Sequence, residues 1–219
     1  MFQLAIFDLD GTLLNTLEDL ANASNWALEQ YGLPVHEVEQ YRYFVGDGIY
    51  KLVERMVPIQ CRNDAELLMK VKEKFDTYYH QHTKDCTQPY DGVLETLDVL
   101  KNRGVSLAVL SNKPHNFAVS LVKEMFGNRF SIVHGQREGY PRKPDKALVE
   151  EILTFTGISP ENCLYLGDSG VDMQTAKNGG VYAVGALWGF RDKQELYDNG
   201  ADTVVENFKD LLKFFSSDC

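Results

Sequence analysis

The chain has 219 residues, 44% of them hydrophobic, and a formal net charge of −10. That length supports one sizeable core with room for a smaller second one. The acidic balance, with no long Lys/Arg run, argues against a nucleic-acid partner, and no apolar run approaches the roughly 20 residues of a membrane span.

The N-terminus leads straight into an apolar strand pattern, with no basic n-region and no small-residue cleavage site. Four scattered cysteines, Cys61, Cys86, Cys163 and Cys219, show no C-x-x-C spacing. The expectation is a cytoplasmic protein with reduced thiols, no disulfide framework and no zinc site.

In chain order, residues 4–7 (LAIF) form a continuous apolar run, as in a strand buried on both faces. From about 16 to 83 the pattern changes. Thr16 and Asp19 resemble a capping box, and Leu17, Leu20, Ala21, Ser24, Leu28 and Tyr31 follow at helical spacing until Gly32 and Pro34. Residues 48–57 and 64–82 also read as helices. A helix over 93–103 stops before Gly104, and an apolar run at 105–110 follows. A helix over 114–126, opened by Pro114, stops before Gly127, and another over 144–156 stops before Gly157. Apolar runs return at 163–166 and 181–184. The pattern predicts an α/β fold: a Rossmann-like core with a mainly parallel sheet over 1–15 and 84–219, and a small all-helical cap over 16–83 inserted after the first strand.

Three apolar runs end in polar residues: Asp8, then Ser111 and Asn112, then Asp168. In an open parallel sheet ligands bind beyond the carboxyl ends of the strands, so these residues can meet at one edge. Lys143, just before a predicted helix start, can reach the same edge. Such a carboxylate cluster repels itself unless a cation sits in it, and an all-oxygen set suits Mg²⁺ near a phosphate. Each feature alone has a plain explanation: a solvated turn for Asp8 and Asp10, a strand-end cap for Ser111, a surface lysine for Lys143, dipole-complementing charge for Asp168 and Asp172. Four in order at element ends point to chemistry.

The segments FDLDGT, VLSNKP, the Lys143 of RKPDK and GDSGVD resemble the four ordered motifs of the haloacid dehalogenase superfamily, across nearly the whole chain. With YFVGDG in the cap, the layout is most similar to phosphoglycolate phosphatase-like members. The resemblance implies a Mg²⁺-dependent phosphatase acting on a small phosphorylated metabolite through an aspartyl-phosphate. Asp8 would be the nucleophile and Asp10 the general acid and base, with Thr12 assisting by its hydroxyl. Thr12, Ser111, Asn112 and Lys143 would serve the phosphate. Asp8, the backbone carbonyl of Asp10, and Asp168 would hold the metal, supported by Asp172. In the cap, Gly46, Asp47 and Gly48 would form a specificity loop, with Arg42 and Lys51 compensating Asp47. The resemblance leaves a phosphosugar mutase and an inorganic pyrophosphatase as alternatives on the same scaffold. A fold retained only for binding is disfavoured by the intact set of residues. The segment WGFR, residues 188–191, either lines the site or packs.

Overall fold

The structure, a computed structural model, describes residues 1–215. Cys219 lies outside them. The other three cysteines are unpaired thiols. The chain divides into two compact units, Met1–Leu14 with Pro89 onward, and Asn15–Gln88. Among the described residues no helix is long and apolar enough to cross a membrane.

The first unit is a six-stranded parallel sheet flanked by helices. Its strands are β1 (Leu4–Phe7), β2 (Ser106–Pro114), β3 (Ile132–Gln136), β4 (Cys163–Gly167), β5 (Tyr182–Ala186) and β6 (Thr203–Val205), in the spatial order β3-β2-β1-β4-β5-β6. The chain winds outward from β1 through β2 to β3, then crosses to β4 and winds the other way. The order therefore reverses between β1 and β4, which is where open α/β sheets bind ligands.

Alternate side chains of β1 enter different cores. Ala5 and Phe7 pack with α4 (Val93–Asn102), α5 (His115–Phe126) and the 3₁₀ segment Phe208–Phe215. Leu4 and Ile6 pack with α6 (Ala147–Thr156) and the buried Met173 and Ala176 of α7 (Gly170–Asn178). Burial on both faces explains the continuous apolar runs.

Two strands escape the sequence pattern. β3 reads IVHGQ, broken by a histidine and a glycine, and β6 is only three residues long. The apolar run at 105–110 is part of a longer strand, because ladder pairing of β2 with β3 reaches Pro114. Pro114 thus ends the strand, and α5 begins one residue later. α6 starts at Ala147, not at Pro144, because the Asp145 carboxylate accepts the Ala147 N–H and holds a turn there. The short helix α8 (Lys193–Asp198) carries no clear apolar period.

The second unit is built from α1 (Leu17–Glu29), α2 (Ile49–Met56) and α3 (Ala65–Gln81). Asp64 caps α3 by accepting the Leu67 N–H. Phe75 and Tyr79 are fully buried and stack on each other. The capping box expected at Thr16 and Asp19 is absent, since the Thr16 side chain makes no cap hydrogen bond. Asp19 is buried and instead accepts from Cys86 N, Thr87 N and Thr87 Oγ1 at 2.9, 2.9 and 2.7 Å. This carboxylate binds the segment before Gln88 to α1, so residues 84–88 group with the helices and not with the sheet unit.

Candidate active site

Strand register levels the carboxyl edge of the sheet. Phe7 pairs with Val109 on one side and Leu166 on the other. Asp8 follows Phe7, Ser111 stands two residues past Val109, and Asp168 two past Leu166. Residues up to 160 apart in sequence are thereby brought to one edge.

Asp8, Asp168 and Asp172 are all buried, and each offers an oxygen within 4.8 Å of the others. Lys143 inserts among them. Its Nζ lies 2.9 Å from Asp8 Oδ1 and 2.7 Å from Asp172 Oδ1, and it donates to Tyr165 Oη at 3.2 Å. Tyr165 Oη in turn donates to the Leu110 carbonyl at 3.0 Å. The lysine backbone is fixed too: Asn112 Oδ1 accepts the Lys143 N–H at 3.0 Å. Tyr165 sits within the apolar run 163–166, and only the fold brings its hydroxyl to Lys143.

Each carboxylate is held differently. Asp168 Oδ1 accepts from Thr12 Oγ1 and Oδ2 from Phe190 N, both at 2.8 Å. Gly189 allows that approach, because a Cβ there would lie 2.1 Å from Asp168 Cβ. Trp188 Nε1 donates to the Thr12 carbonyl at 3.0 Å. The WGFR segment therefore supports the site through Trp188 and Phe190, and the Trp188 ring also packs at a tilt against Phe208 and Tyr90. Asp172 is the third residue of α7 and closes a capping box with Ser169, its Oδ2 accepting Ser169 N at 3.0 Å and Oγ at 2.6 Å. Both Asp172 oxygens are thus engaged by protein donors.

Burial raises the Asp8 carboxyl well above its usual range; Asp172 and Asp168 add to this, and Lys143 opposes it. Burial and the Asp172 charge push Asp168 up to about 7. Burial disfavours the Lys143 ammonium, yet Asp172 and Asp8 outweigh it, and Lys143 stays protonated. If all three carboxylates are ionised, the cluster and Lys143 together carry two negative charges, the charge that one divalent cation would balance.

Asp10 stands apart from that group. Its Oδ1 is 3.0 Å from Lys113 Nζ. Thr12 is fully buried, and its hydroxyl donates to Asp168 Oδ1. The Asn112 side chain contacts the Lys143 backbone. Ser111 is buried, and its Oγ accepts the Lys113 N–H at 3.2 Å. Nothing in the residues around Lys113 points to its partner, because the pairing of β1 with β2 brings it to Asp10 across 103 residues.

The loop with Gly46, Asp47 and Gly48 belongs to the helical unit. Both glycines have positive φ, and Gly48 caps α2. Asp47 pairs with Arg55, a partner outside the expected Arg42 and Lys51. Arg42 reaches Glu39 at 3.1 Å and Lys51 reaches Glu54 at 2.7 Å, each within one helical turn. Asp47 precedes the helix, so helical spacing does not carry Lys51 to it.

The family model described as haloacid dehalogenase-like hydrolase matches residues 5–186. This chain belongs to the haloacid dehalogenase-like hydrolase family. Phosphoglycolate phosphatase 1 of Pseudomonas aeruginosa is 32% identical over 215 residues, 96% of this hydrolase and 78% of the relative. Phosphoglycolate phosphatase of Aliivibrio fischeri is 31% identical over 219 residues, 98% of this chain and 96% of that one. A solved structure of a provisionally assigned phosphoglycolate phosphatase from Lactobacillus delbrueckii subsp. bulgaricus superposes on this hydrolase with a TM-score of 0.92 at 32% identity, covering 99% of each chain.

Proposed function

We propose that this hydrolase is a phosphatase that cleaves a small phosphomonoester, of the phosphoglycolate class, through an aspartyl-phosphate on Asp8. The observation that carries the reading is the position of Lys143 Nζ between Asp8 and Asp172, two members of the three-carboxylate cluster with Asp168. An ammonium there neutralises an incoming phosphoryl group and orients the nucleophile.

A divalent cation, Mg²⁺ in this reading, fits the all-oxygen, net-negative donor set. Asp8, Asp168 and the Asp10 backbone carbonyl would hold it, since the Asp172 oxygens are taken by Lys143 and Ser169. When bound, it supplies positive charge to the phosphoryl oxygens.

An Asp8 oxygen attacks phosphorus as the bond to the ester oxygen breaks. The Asp10 carboxyl gives its proton to that oxygen, and the alcohol leaves. Asp10, now a carboxylate, takes a proton from water as the water attacks phosphorus. The bond to Asp8 then breaks and releases inorganic phosphate. Ser111, on the β2 edge beside Asp8, donates its hydroxyl to a phosphoryl oxygen. Thr12, Asn112, Tyr165 and Asp172 hold the acting groups in place.

Phosphate release from a panel of phosphomonoesters, phosphosugars and pyrophosphate with Mg²⁺ tests this reading. Release from small phosphomonoesters, lost in Asp8→Asn with the fold intact, is expected. Isomerisation without phosphate release, or near-normal turnover by Asp8→Asn, would falsify it.

A further inference from the structure

We propose that Lys113 is a positioning residue for Asp10, holding its carboxyl in the orientation that delivers a proton to the leaving group. The inference rests on the reading of Asp10 as the acid and base.

The contacts of three consecutive residues of β2 differ, in a stretch where its register with β3 is irregular. Asn112 turns to the Lys143 backbone. The Lys113 N–H donates to Ser111 Oγ, while the Lys113 side chain runs to Asp10. The Lys113 side chain is only 3% exposed, and lysine is almost never so buried unless paired. Its Nζ contacts both oxygens of Asp10, at 3.0 and 3.4 Å, across 103 residues of sequence.

The backbone around Asp10 is tied down separately. Gly11 N donates to Leu14 O at 2.9 Å, and Leu13 N and Leu14 N both donate to Leu9 O at 3.0 Å. These bonds fix where Asp10 starts but not where its carboxyl points. The Lys113 ammonium, anchored on a strand of the central sheet, restricts that last torsion. The two buried lysines thereby divide the site. Lys143 meets Asp8 and Asp172, and Lys113 meets Asp10. Positioning of this kind governs proton transfer because an acid displaced by even about 1 Å loses much of its rate advantage.

The alternative is an ion pair that merely stabilises the fold, and leaving-group dependence separates the two. Wild type, Asp10→Asn, Lys113→Met and Lys113→Arg are compared with Mg²⁺ on two probes. One is 4-nitrophenyl phosphate, whose leaving group needs little protonation. The other is the alkyl phosphomonoester that the panel ranks first. Lys113→Met should lower the single-turnover rate of alcohol release, which precedes the water attack that Asp10 also serves, by on the order of 10²-fold for the alkyl ester and by less than about 5-fold for the aryl ester, with KM for the alkyl ester within about 2-fold. Lys113→Arg, which keeps the charge, should recover part of the alkyl rate. The retained aryl rate also reports that the variant is folded; if Lys113→Met does not fold, Lys113→Gln takes its place. Equal loss on both probes, or an effect on KM alone, overturns the proposal. If Asp10→Asn shows the alkyl preference and Lys113→Met does not, the Lys113 assignment fails alone. If Asp10→Asn shows no preference, the acid–base reading itself fails.

Discussion

The hydroxyl of Thr12 donates to Oδ1 of Asp168 at 2.8 Å, joining the loop after β1 to the end of β4 across 156 residues. Both groups are buried, so the bond orients a carboxylate that faces two others. Thr12→Val keeps the shape and removes the donor. The concentration of Mg²⁺ giving half-maximal activity should rise by about 10–100-fold, the usual cost of losing a partner that orients a metal ligand. Thr12→Ser should restore it. An unchanged metal requirement in Thr12→Val would assign this bond to folding alone.

Gly11 has φ +84°, and a Cβ on it would lie 2.4 Å from Asp168 Oδ2. Asp168 is held from two sides and has little room to yield. Gly11→Ala should therefore displace the carboxylate and lower kcat by on the order of 10²-fold. A rate close to wild type would mean that the loop shifts and the carboxylate stays.

The net-negative donor set leads to a metal prediction. Activity should vanish in excess chelator and return with Mg²⁺. Ca²⁺, which accepts more oxygens in looser geometry, should bind and inhibit by engaging both oxygens of the nucleophile. Full activity in chelator would remove the cation from the reaction.

His134 gives the protein an acid-sensitive point away from the reacting groups. Burial lowers its pKa from the usual 6.5; Glu151 opposes this, while Arg137 and His115 add to it. The folded state then binds fewer protons than the unfolded chain, so stability is lost as pH falls below about 6.5. The loss is limited to about 1.4 kcal/mol per pH unit between the two pKa values. His134→Gln should flatten this part of the profile, read as urea midpoints between pH 5 and pH 7.5. Parallel profiles for the two proteins would place the acid sensitivity elsewhere.

In the helical unit, Asp19 is the acceptor for two backbone N–H groups and one hydroxyl. Asp19→Ala leaves these donors unsatisfied in a buried place and should cost roughly 2–4 kcal/mol. Chemical denaturation followed by far-ultraviolet circular dichroism measures it. A change below about 0.5 kcal/mol would mean that water replaces the carboxylate.

The sequence by itself determined the parallel α/β core, the helical insert and the acidic, oxygen-rich character of the site. Buried strands must be apolar on both faces, so LAIF and CLYL stand out, and the polar residues closing them, Asp8 and Asp168, stand out by contrast. β3 and β6 were not legible, because their few residues are stabilised by β2 and β5 and not by their own pattern. Tertiary structure alone decided who holds whom. Thr12 serves Asp168, Asn112 serves Lys143, and Asp47 pairs with Arg55. Lys113 faces Asp10, and Phe190 supplies a backbone donor. The physical reason is range. Hydrophobic periodicity is a local property written in residues three or four apart. A hydrogen bond is satisfied by whichever donor lies within about 3 Å, and across 156 residues only the packed sheet selects that donor.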